Sequence, residues 1–384
     1  MSRRFARLAV LSAVLLPLPA LAQGEAPAAS PSDAAASGLI TPSIPSVPKI
    51  FLPDLGIAGD LAYERSSLPK TDPRWRASDQ QPRLRDGQII AYSPIDPYTN
   101  AQLSVDLPED GVANVEEAWL YFDKLPWGLA ARVGKFKPVF GLLDETDTFQ
   151  LPMLDRPRAV ADFLGDGLNA TGAQLGFYVP NPWGWNLKAD LAASRGDTLG
   201  SARATTDLAY LATLDYSGDF LTAGSVEAGV SAAQGPSPYG RSEELENPYL
   251  KLQYAPSQRR VWTWSVEGMF AQRRGLGRDD ARNSAWTFLD YNFALRYHAG
   301  LLVDYVQVPG ALPTAYPGTF PDAFTGAPSA GRSLSVAPNF TWFVSDNMRL
   351  RAQFTHTTPL GAERPDETGS LQATFSLGNL KQLD

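Results

Sequence analysis

The chain has 384 residues, 44% of them hydrophobic and 11% aromatic, with a net charge of −8, two histidines and no cysteine. The lack of cysteine excludes disulfides, thiol nucleophiles and cysteine-ligated metals, and the acidic balance argues against a nucleic-acid partner, because phosphate binding needs basic surface. No cofactor is expected.

The N-terminus is typical of a secretory signal peptide. Three arginines precede an apolar run over 8–16, and Ala-Leu-Ala at 20–22 supplies small residues for cleavage. Because the run is too short for a membrane-spanning helix, we predict that residues 1–22 are removed on export. Losing the three arginines takes the net charge from −8 to −11. Residues 23–50, rich in Ala, Pro and Ser, form a predicted extended lead-in without a core.

Apolar and polar residues alternate in short segments over 51–384. In NLKADLAAS (186–194) and NMRLRAQFTHT (347–357) every second residue is apolar or small. A period of two exposes one face of a strand to apolar surroundings and the other to polar ones, and such segments predict about sixteen strands. The predicted strands cover 55–64, 87–94, 100–106, 114–124, 129–138, 170–179, 184–194, 206–216, 219–232, 247–255, 258–272, 284–296, 300–308, 332–344, 347–357 and 369–378.

Short and long connections alternate between these strands. Tight turns are predicted at IDPYT, LPWG, NPWG, YSGD, APSQ, YHAG and VSDN, and longer connections at 65–86, 107–113, 139–169, 195–205, 233–246, 273–283, 309–331 and 358–368. Aromatic residues cluster near strand ends, as interfacial girdles do, at Trp127, Trp183, Trp185, Trp262, Trp264, Trp342 and Phe343. A soluble sandwich or propeller would share the residue alternation. Short connections at one end of the strands and long connections at the other favour an all-β, antiparallel transmembrane barrel of a Gram-negative outer membrane.

An acidic segment, 143–167, falls in the third long connection, 139–169. It carries six carboxylates interleaved with bulky apolar residues. Loops of this length are usually functional or disordered, and the apolar content favours packing. In a sixteen-stranded barrel the lumen is wide enough to hold such a loop, which would press its apolar side on the wall and turn its carboxylates to water.

The stretch VEEAWLYF…DRP…FLG…GLN…GAQLGF (115–177), with IDPYTNAQLSV upstream, resembles porin-like proteins of the phosphate-selective porin superfamily. The recurring pattern is G-K-F, F-G, D-R-P, F-L-G, G-L-N and G-A-Q. This resemblance implies a sixteen-stranded barrel, a third loop folded into the lumen, and a homotrimer. The chain departs from the family in its net acidity and in its C-terminal LGNLKQLD, which does not end on an aromatic residue. The acidity argues against phosphate selectivity.

The sequence therefore predicts a porin through which small hydrophilic solutes or ions diffuse passively, embedded in outer-membrane lipid and lipopolysaccharide. The predicted constriction consists of Asp144, Glu145, Asp147, Asp155, Asp162, Asp166, Arg156 and Arg158. Asp155 has a structural alternative, capping the turn and pairing with a neighbouring arginine. The predicted pore wall consists of Lys135, Lys137, Lys188, Lys251, Arg296, Arg349 and Arg351. Opposed charges on loop and wall would create a transverse field, and Arg349 and Arg351 are the favoured wall residues.

Other functions have weaker support. A hydrolase would need His298 or His356, which lack an accompanying serine motif, so the chain is not predicted to be an enzyme. DETDTFQ lacks the ligand spacing of a calcium loop. The alternative from another class is a plugged, non-conducting barrel whose outer loops 65–86 and 309–331, with Trp75, Tyr316 and Phe320, bind a partner.

Overall fold

Alternation of side chains in the strands produces a closed barrel. The computed structural model describes residues 53–72, 80–109, 111–165, 167–199, 207–236, 242–257, 259–275, 278–308, 331–359 and 364–378. The predicted signal peptide, the lead-in, Asp166, Trp75, Tyr316 and Phe320 lie outside these ranges. No helix within the described ranges is long and apolar enough to cross a membrane.

Sixteen antiparallel strands pair with their neighbours in sequence, and the first pairs with the last to close the barrel. This confirms the predicted fold class. The strands are β1 (Asp54–Ser66), β2 (Arg83–Asp96), β3 (Thr99–Asp106), β4 (Asn114–Leu125), β5 (Leu129–Phe136), β6 (Ala170–Tyr178), β7 (Asn186–Arg195), β8 (Leu208–Phe220), β9 (Gly224–Gly235), β10 (Ser242–Ser257), β11 (Arg260–Gly275), β12 (Arg278–Phe293), β13 (Tyr297–Val308), β14 (Gly331–Ser345), β15 (Met348–Pro359) and β16 (Asp366–Gly378).

The two faces of each strand differ as the alternation predicts. In β15 the side chains of Arg349, Arg351 and Gln353 are buried inside the barrel, whereas those of Ala352 and Phe354, on either side of Gln353, are exposed outside. Leucines, valines and aromatic residues line the outer surface in the other strands as well. An apolar outer band of this kind suits a hydrocarbon environment.

Aromatic residues gather at the end with short turns. Trp127 and Trp183 are strongly exposed there, and Trp262 stacks on Tyr291 with ring centroids 4.0 Å apart. Phe343 differs from the predicted girdle, because it packs inward against Phe149 of the third loop.

Two tight turns lie away from their predicted positions. β8 continues through YSGD and turns at 221–223, and the turn before β13 lies at 294–296 instead of YHAG. In these two turns the residues with positive φ are Leu221 (56°), Ala294 (60°) and Leu295 (70°). Leucine and alanine do not indicate a turn in a sequence, as glycine or asparagine would. His298 therefore lies inside β13.

The connection between β5 and β6, residues 137–169, is called the third loop here. It contains a short 3₁₀ turn at Thr148–Gln150 and the helix α1 (Arg158–Leu164), whose residues from Ala159 onward are buried. Two further 3₁₀ turns lie at Pro126–Gly128 and Gly196–Leu199.

Candidate functional site

The third loop folds into the barrel and packs on its inner wall, as the sequence predicts. Phe140, Met153, Val160 and Phe163 join one apolar cluster with wall residues of β7 to β14, including Trp286. Because both sides of this contact are buried, the loop is held as a fixed part of the lumen.

The loop enters the lumen through a close approach at Gly141. This residue has φ of +67°, and its amide donates to Ser231 Oγ at 3.0 Å. A Cβ atom here would lie 2.0 Å from Glu267 Oε1 and 2.6 Å from Asn247 Oδ1. Glycine is therefore required at this position for both conformation and space.

Two arginines of β15 bind the loop backbone. Arg351 donates to the carbonyl of Met153 at 2.5 Å and to that of Leu151 at 3.0 Å. The same guanidinium donates to Thr341 Oγ1 at 2.9 Å and to Gln372 Oε1 at 3.0 Å. Arg349 donates to the carbonyl of Phe149. Arg349 and Arg351 are 2% and 3% exposed and face inward as predicted. The loop groups that they bind are backbone carbonyls.

Strands β2 and β4, which follow β15 around the barrel beyond β16 and β1, hold the loop through ion pairs. Arg85 contacts Asp155 Oδ1 at 2.5 Å and donates to the Leu154 carbonyl at 2.8 Å. Asp155 thus pairs with a wall arginine and not with a neighbour in sequence. Lys137 contacts Glu116 Oε1 at 2.6 Å and also binds Asp147. Burial opposes the charge on Lys137, but these two carboxylates raise its pKa.

Helix α1 is held by wall residues at its N-terminus. The amide of Ala159, which has no partner within the helix, donates to Asp304 Oδ1 of β13 at 3.0 Å. Ser284 of β12 donates to the carbonyl of Ala159 at 2.5 Å. Arg158 lies 3.7 Å from Asp162 one turn further along the helix.

Within the loop, Arg156 and Asp144 bind backbone groups. Arg156 donates to the carbonyls of Leu143 at 2.5 Å and Thr146 at 3.0 Å. Asp144 accepts from the Leu168 amide at 2.6 Å and is 1% exposed. Burial raises the pKa of Asp144 to about 7, although Arg156 and the Leu168 amide act in the opposite direction.

A group of charged residues lies on the other part of the inner wall, and all of them except Asp190 remain partly exposed. The charged face is defined as Arg132 of β5, Glu145 of the loop, Lys188 and Asp190 of β7, Asp215 of β8, Glu227 of β9 and Lys251 of β10. Arg132 lies 3.1 Å from Glu145, Lys188 lies 2.9 Å from Asp190, and Lys251 lies 3.9 Å from Glu227. Asp215 interacts electrostatically with Glu145, Asp190, Glu227 and Lys188.

Four side chains of the charged face are far more exposed than the arginines of β15. The side chains of Glu145, Lys188, Glu227 and Lys251 are 45%, 42%, 46% and 44% exposed. The loop thus leaves water beside the charged face while it covers β15.

Several predicted site residues need correction. Asp144 and Asp162 are buried in the loop, so the prediction of a water-facing rim is wrong for both. Lys135 shares a strand face with Val133, which is exposed on the outer surface, so Lys135 does not line the lumen. Arg296 lies in the tight turn after β12 and not in a strand. Asp166 lies outside the described residues.

Some residues were missed by sequence reasoning. Asp190, Asp215 and Glu227 follow the inward alternation of their strands, so that signal could have found them. Arg85 could not be found this way, because it lies at a β-bulge where the register with β1 shifts between Asp60 and Leu61.

The histidines do not form a catalytic pair with each other. His298 Nδ1 lies 2.8 Å from Asp290 Oδ2, and His356 Nε2 lies 3.0 Å from Thr358 Oγ1 at the far end of β15. Within the described ranges no three His, Asp or Glu side chains converge as metal ligands would.

Several solved structures share this fold, among them an outer-membrane channel and a porin. The outer membrane channel DcaP of Acinetobacter baumannii superposes with a TM-score of 0.54 at 12% identity, covering 85% of this chain and 96% of that one. An anion-selective porin from Comamonas acidovorans gives 0.58 at 11%, covering 85% and 99%. Pseudomonas putida OprB gives 0.57 at 11%, covering 86% and 94%. The TM-scores show that the fold is shared, and at identities this low the likeness shows the fold alone.

Sequence comparisons add less. No protein-family model matches the chain. An uncharacterized protein of Aquifex aeolicus (strain VF5) is 32% identical over 108 residues, which are 28% of this chain and 23% of that protein. The match thus spans about a quarter of the Aquifex protein.

Proposed function

We propose that this protein is an outer-membrane porin through which small hydrophilic solutes or ions diffuse passively. The observation that carries the proposal is the division of the lumen between a covered and a hydrated part. The third loop covers the inner wall at β15, whereas four charged side chains of the charged face stay more than two-fifths exposed. Charges that line a hydrated lumen are the usual selectivity elements of such barrels.

The proposed constriction is made by the loop residues that keep access to water. Glu145 is the most exposed of the predicted carboxylates that the structure describes, and Asp147, Asp155 and Arg158 are half-buried. Arg156 holds the loop in shape through two carbonyls and would act on the pore through the loop.

The apolar outer surface and the porin-like fold support a place in the outer membrane, in contact with lipid and lipopolysaccharide, and assembly as a homotrimer. The resemblance of 115–177 supports membership of the phosphate-selective porin superfamily, but phosphate specificity is not expected from the carboxylates of the charged face. Residues 1–22 would be removed on export, which N-terminal sequencing of the mature protein, expected to begin at Gln23, would test.

Planar-bilayer recording tests the porin function. The purified protein, shown to be folded by heat-modifiable migration on a gel, is expected to give ohmic conductance steps and to let small sugars enter liposomes. Folded protein that produces neither would contradict the proposal.

One observation favours the plugged barrel as a second candidate. The loop contacts β9 through Ser231, β13 through Asp304 and β2 through Arg85, so it reaches widely separated parts of the wall. The same recordings separate the candidates, because a plugged barrel gives no steps.

A further inference from the structure

The basic and acidic residues of the lumen differ in what they bind. The arginines that would attract anions, Arg349 and Arg351, are covered by the third loop and donate to its carbonyls. Arg85 is covered as well and lies 3.6 Å from Asp60 in addition to its contact with Asp155. Because the loop covers Arg349 and Arg351, a solute in the hydrated part of the lumen cannot contact their guanidinium groups.

The hydrated charged face carries more acidic than basic groups. Its four carboxylates, Glu145, Asp190, Asp215 and Glu227, face three basic groups, Arg132, Lys188 and Lys251, which leaves a formal charge of −1. Each basic group lies within 4 Å of a carboxylate. The three pairs cancel in formal charge, so the excess negative charge of the charged face comes from its fourth carboxylate, Asp215.

A second acidic surface lies on β2 to β4. Asp86 interacts electrostatically with Asp106, Glu116 and Asp147, and none of these four side chains is fully buried. Lys137 contacts Glu116 and Asp147. The carboxylates of this surface add negative charge on the same side of the barrel as Arg132 and Glu145, because β4 and β5 are neighbours.

We propose that the hydrated part of the lumen prefers cations, with Glu145 and Glu227 as specificity-determining residues and inorganic or small organic cations as the favoured solutes. The inference rests on the proposed porin function. It differs from what net charge alone would give, because it depends on which arginines the loop covers and which carboxylates stay in water.

Screening limits when the preference is visible. At about 0.1 M salt the Debye length is roughly 10 Å, which exceeds the contacts within the charged face, whereas at about 1 M it is roughly 3 Å. We therefore expect the preference to be strongest in dilute salt and to weaken in concentrated salt.

Reversal potentials in a potassium chloride gradient across planar bilayers test the inference. The wild-type porin is expected to give a cation-to-anion permeability ratio above one. Glu145→Gln with Glu227→Gln leaves two carboxylates against three basic groups, a formal charge of +1 on the charged face, and should lower the ratio by about twofold or more. Lys188→Gln should raise it.

Asp197→Asn is the matched control. Asp197 is 46% exposed, as Glu227 is, but pairs with Arg195 at 2.7 Å outside the charged face. This variant should leave the ratio unchanged. Equal single-channel conductance in all variants would show that pore size has not changed.

The outcomes are distinguishable. Channels that conduct with a ratio below one, or a ratio that the double variant leaves unchanged, overturn the cation preference while the porin function stands. Folded protein without any conductance overturns the porin function and the preference with it.

Discussion

Replacing Arg351 by methionine should loosen the third loop. Methionine fills much of the same space but cannot donate, so the carbonyls of Leu151 and Met153 lose the partner that Arg351 provides. A buried polar group left without its partner costs about 1–3 kcal/mol, so two carbonyls cost about 2–6 kcal/mol. Since about 1.4 kcal/mol is a tenfold change in an equilibrium, loop release should become about 30-fold to about 20,000-fold more frequent.

Single-channel recording and liposome swelling measure this release. Arg351→Met should give larger and noisier conductance, and should admit sugars that the wild type excludes. Arg195→Met, which removes an exposed arginine paired with Asp197, serves as the control and should behave as wild type.

Arg351→Lys separates anchoring from charge. Lysine keeps the positive charge but cannot reach two carbonyls with a planar fork. If Arg351 acts by anchoring the loop, the lysine variant should resemble the methionine variant. Conductance and swelling identical to wild type in folded Arg351→Met protein would refute the anchoring role.

Three further changes test the loop. Gly141→Ala should destabilise the barrel by several kcal/mol, because its Cβ meets Glu267. Gly165→Ala, at φ +64° and ψ −132° in open space, should cost about 1–3 kcal/mol in chemical denaturation, from backbone strain alone. Asp304→Ala should expose the Ala159 amide to hydrogen exchange, at a cost of about 1 kcal/mol, whereas Asp304→Asn should protect it. Burial raises the pKa of Asp144 from 3.8 to about 7. The folded loop therefore holds a proton that the unfolded loop releases, and loop stability should fall as pH rises from about 4 to 7. Asp144→Asn should flatten this dependence in hydrogen exchange at Leu168, and an unchanged slope would contradict it.

The barrel could be predicted because each strand repeats the same simple pattern. Two faces in different surroundings force a period of two, and that period places Arg349, Arg351 and Lys188 on the inner wall without knowledge of their neighbours. Turns were harder, because Leu221, Ala294 and Leu295 adopt positive φ without the residues that normally indicate it.

The partners of the inner charges could not be predicted. Arg351 binds carbonyls about 200 positions away in the chain. Every residue has a backbone carbonyl, so the sequence does not indicate which carbonyl a side chain binds. Side-chain partners are only weakly indicated by the sequence. Asp155 has two arginines near it in sequence, yet it pairs with Arg85, about 70 positions away.

The acidity of the chain and the field of its lumen are separate properties. A net charge of −8 would suit an anion pore if Arg349 and Arg351 faced water and the carboxylates of the charged face were covered. The third loop reverses that arrangement, because anchoring a loop by its carbonyls requires donors, and arginine supplies several in one plane. The residues that hold the loop are therefore unavailable to attract solutes. Selectivity then depends on Glu145 and Glu227, which anchor nothing on the β15 wall and remain in water.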